Sequence, residues 1–176
     1  MKKIIFITTL FCSLFFVNTS ISAQSNISID FKIKNIGVYV NGNFTKAVVT
    51  SNFEKNNLDD SFINAVVEIK SINTNIKKRD KHLLETDYFD ETNYKELKLV
   101  SSKIEKVSDN NYKVTGKLTI KKTTKTVVIP LVIKEDESSF TITGNFELNR
   151  RDYGVGGSSW VLSKTVKIKV KYTIEK

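Results

Sequence analysis

The last stretch of the chain alternates without interruption. Val166, Ile168, Val170, Tyr172 and Ile174 are interleaved with Lys167, Lys169, Lys171 and Thr173. Side chains of an extended strand point to opposite faces with a period of two, so one face here is apolar and the other cationic. The same alternation recurs along most of the chain. Ile27, Ile29, Phe31 and Ile33 form the first apolar row. A second segment opens at Gly42 and carries Phe44, Ala47, Val49 and Phe53, with a phase shift after Phe44 that predicts a bulge. Ile63, Ala65, Val67 and Ile69 mark a third strand, and Leu97, Leu99 and Ser101 a fourth. Tyr112 to Ile120, Val127 to Ile133 and Phe140 to Leu148 follow, the first two of these joined by a Lys-Lys-Thr-Thr-Lys turn at 121–125. With the final segment this makes an all-β chain of eight antiparallel strands, joined mainly by short polar loops.

A sheet with one apolar face must hide it, either by packing as a sandwich or by closing into a barrel. Closure removes both edges, and eight strands leave an interior about wide enough for one small ligand. A membrane-spanning barrel would turn its apolar face to lipid and its polar face inward. That would crowd Lys167, Lys169 and Lys171 into a narrow lumen, where unpaired cations are poorly solvated. The apolar face therefore points inward. Two connections are longer than the rest. Asn75 to Glu91 contains a short helix by composition over Lys77 to Leu84, and Arg150 to Ser159, with Gly154, Gly156 and Gly157, reads as a mobile loop.

The N-terminus has a different character. Lys2 and Lys3 precede an apolar run from Ile4 to Val17, and Asn18 to Ala23 is small and polar. This is the pattern of a secretory signal peptide over residues 1–23, with cleavage after Ala23, leaving 24–176 as one domain. Leu10-Phe11 before Cys12 does not suit a lipoprotein site. The pattern places the chain in an exported class, periplasmic or secreted. Cys12 is the only cysteine of the chain, so the segment that follows the leader has no disulfide and no thiol chemistry. The formal charge of +9 falls by two when Lys2 and Lys3 leave with the leader. An exported chain meets little nucleic acid, and much of the remaining charge lies on outward strand faces, most plainly at Lys113, Lys117, Lys167, Lys169 and Lys171, where it suits water or an anionic membrane surface.

Several residues invite a chemical role. Arg79 and His82 lie three apart on the short helix, beside Asp80. They either hold a polar ligand head at the barrel mouth or, with Asp80 and Arg79 capping the helix, tie the long loop to the barrel. His82 is the only histidine, with no serine or cysteine nucleophile beside it, so no catalytic triad is read and no enzymatic residue is assigned. Asp87, Asp90 and Glu91 lack the loop pattern of a calcium-binding hand, and no metal or cofactor site is assigned. Arg150, Asp152 and Tyr153 tie down a strand end. Trp160 follows the glycine-rich loop and either plugs the barrel or touches a ligand.

The segments Ser71-Ile72-Asn73-Thr74, Arg79-Asp80-Lys81-His82-Leu83 and Asp87-Tyr88-Phe89-Asp90 resemble, in order, the signature of the YceI-like family of small exported proteins. Gly116 to Ile120 with Thr124 to Val127 is similar to the family's central hairpin, and Asn149-Arg150-Arg151-Asp152-Tyr153-Gly154 to its late Arg-x-Asp-aromatic-Gly element. Gly42-Asn43-Phe44 also fits. The chain departs from the pattern at Lys34-Asn35, Lys95, Lys122 and Thr126, and it lacks a tryptophan before the first strand. The resemblance implies a lipocalin-like barrel that binds a long apolar chain, an isoprenoid or related lipid, in an elongated cavity. The expected wall is Phe31, Ile33, Phe44, Phe53, Ile69, Leu97, Leu99, Phe140, Phe146 and Trp160, and the expected polar mouth is Arg79, Asp80, His82 and Arg150. The competing functions are an enzyme acting on a hydrophobic substrate inside the barrel, and a membrane-surface or partner-binding module with a packed core.

Overall fold

The computed structural model describes residues 27–176. The segment read as a signal peptide, 1–23, lies outside the described residues. The strands are β1 (Ser28–Asn35), β2 (Val38–Phe44), β3 (Ala47–Asn52), β4 (Phe62–Glu68), β5 (Ile72–Asn73), β6 (Glu96–Ser108), β7 (Asn111–Ile120), β8 (Thr123–Glu135), β9 (Ser139–Asn149) and β10 (Leu162–Glu175). One α-helix, α1 (Lys77–Leu83), sits in the long connection, and short 3₁₀ turns span Ile69–Ser71 and Arg150–Tyr153.

All pairings are antiparallel, in the order β3-β4-β6-β7-β8-β9-β10-β1-β2-β5. The two ends of that order are continuations of strands already inside it. Thr45 and Lys46 lead from β2 into β3, while Ile69–Ser71 leads from β4 into β5. Across this bend the backbone pairing carries on: Thr45 donates its N–H to Ser71 O at 3.1 Å, and Glu68 donates to Lys46 O at 3.1 Å. The composite strands β2–β3 and β4–β5 therefore pair on both sides of the bend, from Asn43 to Asn52 on the first, and the sheet closes on itself as an eight-membered antiparallel barrel.

The strand boundaries depart from the sequence reading at two turns: the Lys-Lys-Thr-Thr-Lys stretch at 121–125 is a tight turn at Lys121–Lys122, with Thr123 already in β8, and the start of the second strand differs as well. That second strand is in fact the two strands β2 and β3, and β2 begins at Val38, upstream of Gly42. The turn before it, Ile36-Gly37, is a left-handed pair (φ +50° and +75°), for which the usual residues are Asn-Gly. An isoleucine there hides the turn inside an apolar run. The phase shift after Phe44 is the bend, but the surplus residues lie on the opposite strand: Phe44 faces Ile72 and Ala47 faces Val67, leaving Thr45–Lys46 against Glu68–Ser71.

The apolar rows point inward and the lysines Lys167, Lys169 and Lys171 are exposed. The interior is not uniform. At one end Phe53, Ile63, Ile104, Tyr112, Ile129, Leu131, Ile133, Ile142 and Tyr172 form a continuous buried cluster. Phe53 meets Tyr112 and Phe140 edge to face, with centroids 5.5 and 5.2 Å away. Toward the other end the inward residues, among them Phe31, Ile33, Leu97, Leu99, Leu148 and Ile168, are only half-buried. Their apolar surfaces face a space that the side chains do not fill.

The Tyr172 hydroxyl is the one buried side-chain polar atom without a hydrogen-bond partner among the described residues. Burial pushes its phenol far above the usual tyrosine range. Phe53→Ala should lower the unfolding free energy by about 3–5 kcal/mol, because it empties a packed site. Phe31→Ala should cost much less, because its ring already borders open space. Tyr172→Phe removes the unpartnered hydroxyl and should match the parent or exceed it by about 1 kcal/mol. Denaturant titration of the three variants checks this, and equal losses for Phe53→Ala and Phe31→Ala would mean an interior packed throughout.

Candidate binding cavity and its rim

The unfilled space is a cavity of about 370 Å³, within the range of roughly 300–1,000 Å³ usual for small-molecule sites. All ten strands contribute aliphatic or aromatic side chains to its wall, β5 and β8 through Ile72, Ile129 and Leu131. No Asp or Glu is among its lining residues. The position of Phe31 depends on Gly42, its cross-strand partner on β2. A Cβ on Gly42 would lie 2.3 Å from Phe31 Cζ and 2.9 Å from Asn73 O, so only glycine lets the ring lie flat over that strand.

Polar groups gather at the open end, where α1 and the connection between β9 and β10 cover the rim. Arg79 and His82 from α1, together with Thr74 and Arg150, line the cavity there. Thr74 is a hub. Arg79 donates Nε to Thr74 Oγ1 and Nη2 to Thr74 O, both at 2.8 Å, and Thr74 donates its N–H to Asp80 Oδ1 at 2.8 Å and its hydroxyl to the same oxygen. Asp80 thus pins the loop and does not cap its own helix, whose N-cap, Ile76, has no side-chain bond. His82 Nδ1 lies 2.9 Å from Glu85 Oε2, and its ring stands edge-on to Tyr88 at 4.8 Å.

Arg150 is buried without a carboxylate partner. Its guanidinium donates to the carbonyls of Ser163 (2.8 Å), Val155 (2.8 Å), Gly157 (3.0 Å) and Leu162 (3.2 Å). Burial, and then neighbouring Arg151, lower its pKa from the usual arginine value, but a guanidinium remains charged at neutral pH. The connection expected to be a mobile loop is therefore wrapped around this cation. It is also tied to the α1 loop: Gly156 donates its N–H to Asp87 O at 2.8 Å, and Lys121 Nζ donates to Thr86 O (3.0 Å) and Gly154 O (3.1 Å). Beneath this cover, burial and then Asp152 raise the Tyr153 phenol pKa.

Of the expected wall, Phe31, Ile33, Phe44, Leu97, Leu99 and Phe146 border the cavity. The other four lie elsewhere. Phe53 and Phe140 belong to the packed end. Ile69 is fully buried in the 3₁₀ bend, where the surplus residues put it out of phase with its strand. Trp160 is fully exposed just before β10, held by neither plug nor wall. Of the expected mouth residues Arg79, His82 and Arg150 face the cavity and Asp80 does not. Thr74, Tyr88, Phe89, Tyr153 and Val155 complete the rim. They stand in loops with no period to mark them; the Ser71–Thr74, Asp87–Asp90 and Asn149–Gly154 motifs touch four of them and leave only Val155 unmarked.

The YceI-like domain model matches residues 19–174. A UPF0312 protein of Vibrio parahaemolyticus is 31% identical over 122 residues, covering 69% of this chain and 61% of its own length. A UPF0312 protein of Pseudomonas savastanoi pv. phaseolicola is 31% identical over 136 residues, 73% of this chain and 71% of that one. Among solved structures, Burkholderia cenocepacia BcnA superimposes with a TM-score of 0.80 at 25% identity, covering 84% of this chain and 96% of the other. A domain from Saccharophagus degradans described as polyisoprenoid-binding shares the fold at TM-score 0.68 and 15% identity, covering 85% and 93%. A matched domain that runs the length of the barrel, from β1 to β10, makes this chain a member of the YceI-like family.

Proposed function

We propose that the protein is an exported carrier that sequesters a long apolar chain, a polyisoprenoid or related lipid, inside the barrel. The observation that carries this reading is the cavity: half-buried aliphatic and aromatic walls, no carboxylate, and Arg79, His82 and Arg150 gathered at one rim. Such a space favours burial of hydrocarbon by about 0.8 kcal/mol per CH₂, so affinity grows with chain length and needs few polar contacts. The similar domain described as polyisoprenoid-binding supports the ligand class. The leader pattern of residues 1–23 supports export to the periplasm or beyond.

The rim sets what kind of head group is compatible. Arg79, His82 and Arg150 line it and no Asp or Glu does, so an anionic or hydrogen-bond-accepting head is favoured over a cationic one. A binding role is favoured over catalysis, because the only histidine is half-exposed and engaged with Glu85, and no acid enters the cavity. The open half of the interior favours a carrier over a module with a packed core.

Native mass spectrometry and solvent extraction of detergent-free protein should recover a long-chain lipid, and emptied protein should take up added isoprenoids. Ile168→Trp, which fills the cavity from β10, should reduce uptake about tenfold or more, equivalent to about 1.4 kcal/mol, with little loss of stability. Recovery of protein free of lipid, together with no uptake by the emptied barrel, would overturn the reading.

A further inference from the structure

We infer that the β1–β2 turn and the segment just before β10 form an apolar tip that seats the open rim of the barrel on an anionic lipid bilayer. This names a partner for the carrier proposed above and rests on that reading.

The two segments are joined by a hydrogen bond from Ile36 N–H to Val161 O of 2.9 Å. Together they present Ile36, Val38, Tyr39, Trp160 and Val161 to solvent, with Ile36 73% and Trp160 105% exposed. Isolated exposed apolar residues are ordinary on a soluble protein, but a cluster of five around one backbone contact is not. Ile36 is also in the wrong conformation for its type. Its φ of +50° is the left-handed region, where a β-branched side chain is strained and asparagine is preferred. Nothing in the packing repays that strain, because the side chain touches no core. An isoleucine that suits neither its backbone nor its solvent is explained if the solvent is lipid.

The surrounding charge selects the kind of surface. There is no Asp or Glu from Phe31 to Phe53, nor from Tyr153 to Ile174. Those stretches supply Lys32, Lys34, Lys164 and Lys167 close to the tip, with Lys32 and Lys34 ammoniums 4.2 and 5.5 Å from the Tyr39 ring centroid. Of the acids on the neighbouring elements, Glu147 pairs with Lys167 at 3.5 Å, Asp152 with Lys125 at 3.7 Å, and Asp30 stands opposite Lys169 on β10. Tryptophan and tyrosine prefer the water–bilayer interface, and lysine stems reach from there to anionic head groups.

The position is as informative as the composition. Asn35 and Val40, which flank the turn, and Leu162, beside Val161, line the cavity. The loops around Asp87 and Gly156 bind each other over another part of the rim. Insertion of the tip would bring the cavity wall within one residue of the acyl region, a direct route for an apolar chain.

Trp160 is the only tryptophan of the chain and reports on the tip directly. Protein recovered from its own host is mixed with vesicles of phosphatidylglycerol and phosphatidylethanolamine, or of phosphatidylcholine alone. With the anionic vesicles its emission should shift to the blue, be quenched by brominated acyl chains, and accompany co-sedimentation. Phosphatidylcholine should give little of either. Ile36→Asn suits the turn and should keep or raise the melting temperature while weakening vesicle binding about tenfold. Lys32→Gln combined with Lys34→Gln should weaken binding to anionic vesicles only. No shift with anionic vesicles, equal binding to phosphatidylcholine, or full binding by Ile36→Asn would each overturn the inference. Solvent extraction of the same preparations keeps the two readings apart: lipid inside a barrel that ignores vesicles leaves the carrier standing and removes the docking tip.

Discussion

The architecture depends on the bend at Thr45–Lys46 and Ile69–Ser71. The bend carries β2, which pairs with β1, into β3, which pairs with β4, and without that continuity the pairing order would end in an open, strongly curved sheet. Free edges invite pairing with other chains and would leave the inner apolar face open to water along one side. With the bend, every stave has two neighbours. The surplus residues on one side of the bend let the composite strands turn sharply without breaking the ladder, which is the usual work of a bulge. Ile69, fully buried there, anchors the corner, and its N–H bonds to Lys95 O just before β6.

Closure at eight staves also explains why the interior divides in two. The circumference is set by the strand count, so what fills it is decided by side-chain size and by the ends. At the packed end three aromatic rings, Phe53, Tyr112 and Phe140, meet edge to face and fill the cross-section. At the other end the inward row of β10 is Val166, Ile168 and Val170, facing Ile29, Phe31 and Ile33 on β1 through the register of that pair. These side chains are too short to meet across the barrel. The cover over this end is held by hydrogen bonds to backbone atoms, chiefly those of Arg150, Arg79 and Lys121, and by apolar contacts from Leu83, Leu84 and Phe89. A cover fastened mainly by polar bonds at the solvent edge separates more readily than a packed core, which suits a site that must load and release.

Much of the barrel was legible because period-two alternation reports both element type and facing direction. Most of the strands and the helix in the long connection fall where the alternation puts them, although β6 runs on to Ser108 and β8 begins at Thr123, inside the stretch read as a turn. The failures share a cause: each occurs where the local backbone departs from the period. Ile36 occupies a turn position that its residue type argues against, so the β1–β2 hairpin vanished into one apolar run. Ile69 follows the alternation of β4 in sequence but falls in the bend. Phe53 and Phe140 obey the alternation yet sit at the packed end, because periodicity tells inside from outside and says nothing about height along the barrel axis. Trp160 and the Arg150 cluster stand in loops, where position is fixed by hydrogen bonds between distant carbonyls and one guanidinium. No spacing rule encodes that geometry; the Ser71–Thr74 and Asn149–Gly154 motifs could mark the segments as constrained without showing how.

The outward lysines can now be sorted by what they face. Lys113 pairs with Glu105 at 3.3 Å, and Lys55 and Lys176 both reach Glu135, at 2.9 and 3.0 Å, so the sides and packed end of the barrel are locally balanced. Across β1 and β10, in contrast, Lys32 stands directly opposite Lys167. Like charges directly opposite on neighbouring strands are unfavourable, and Glu147 offers Lys167 only partial relief. Solubility alone does not require that arrangement, because Asp30 opposite Lys169, two residues along the same pair, shows the unlike pairing that the register permits. The uncompensated positive charge lies on the strands that lead to the exposed apolar tip, at the open end of the cavity. Charge, strain and exposed apolar surface therefore converge on one part of the rim, and the features that make this part costly in water are those that an anionic bilayer would relieve.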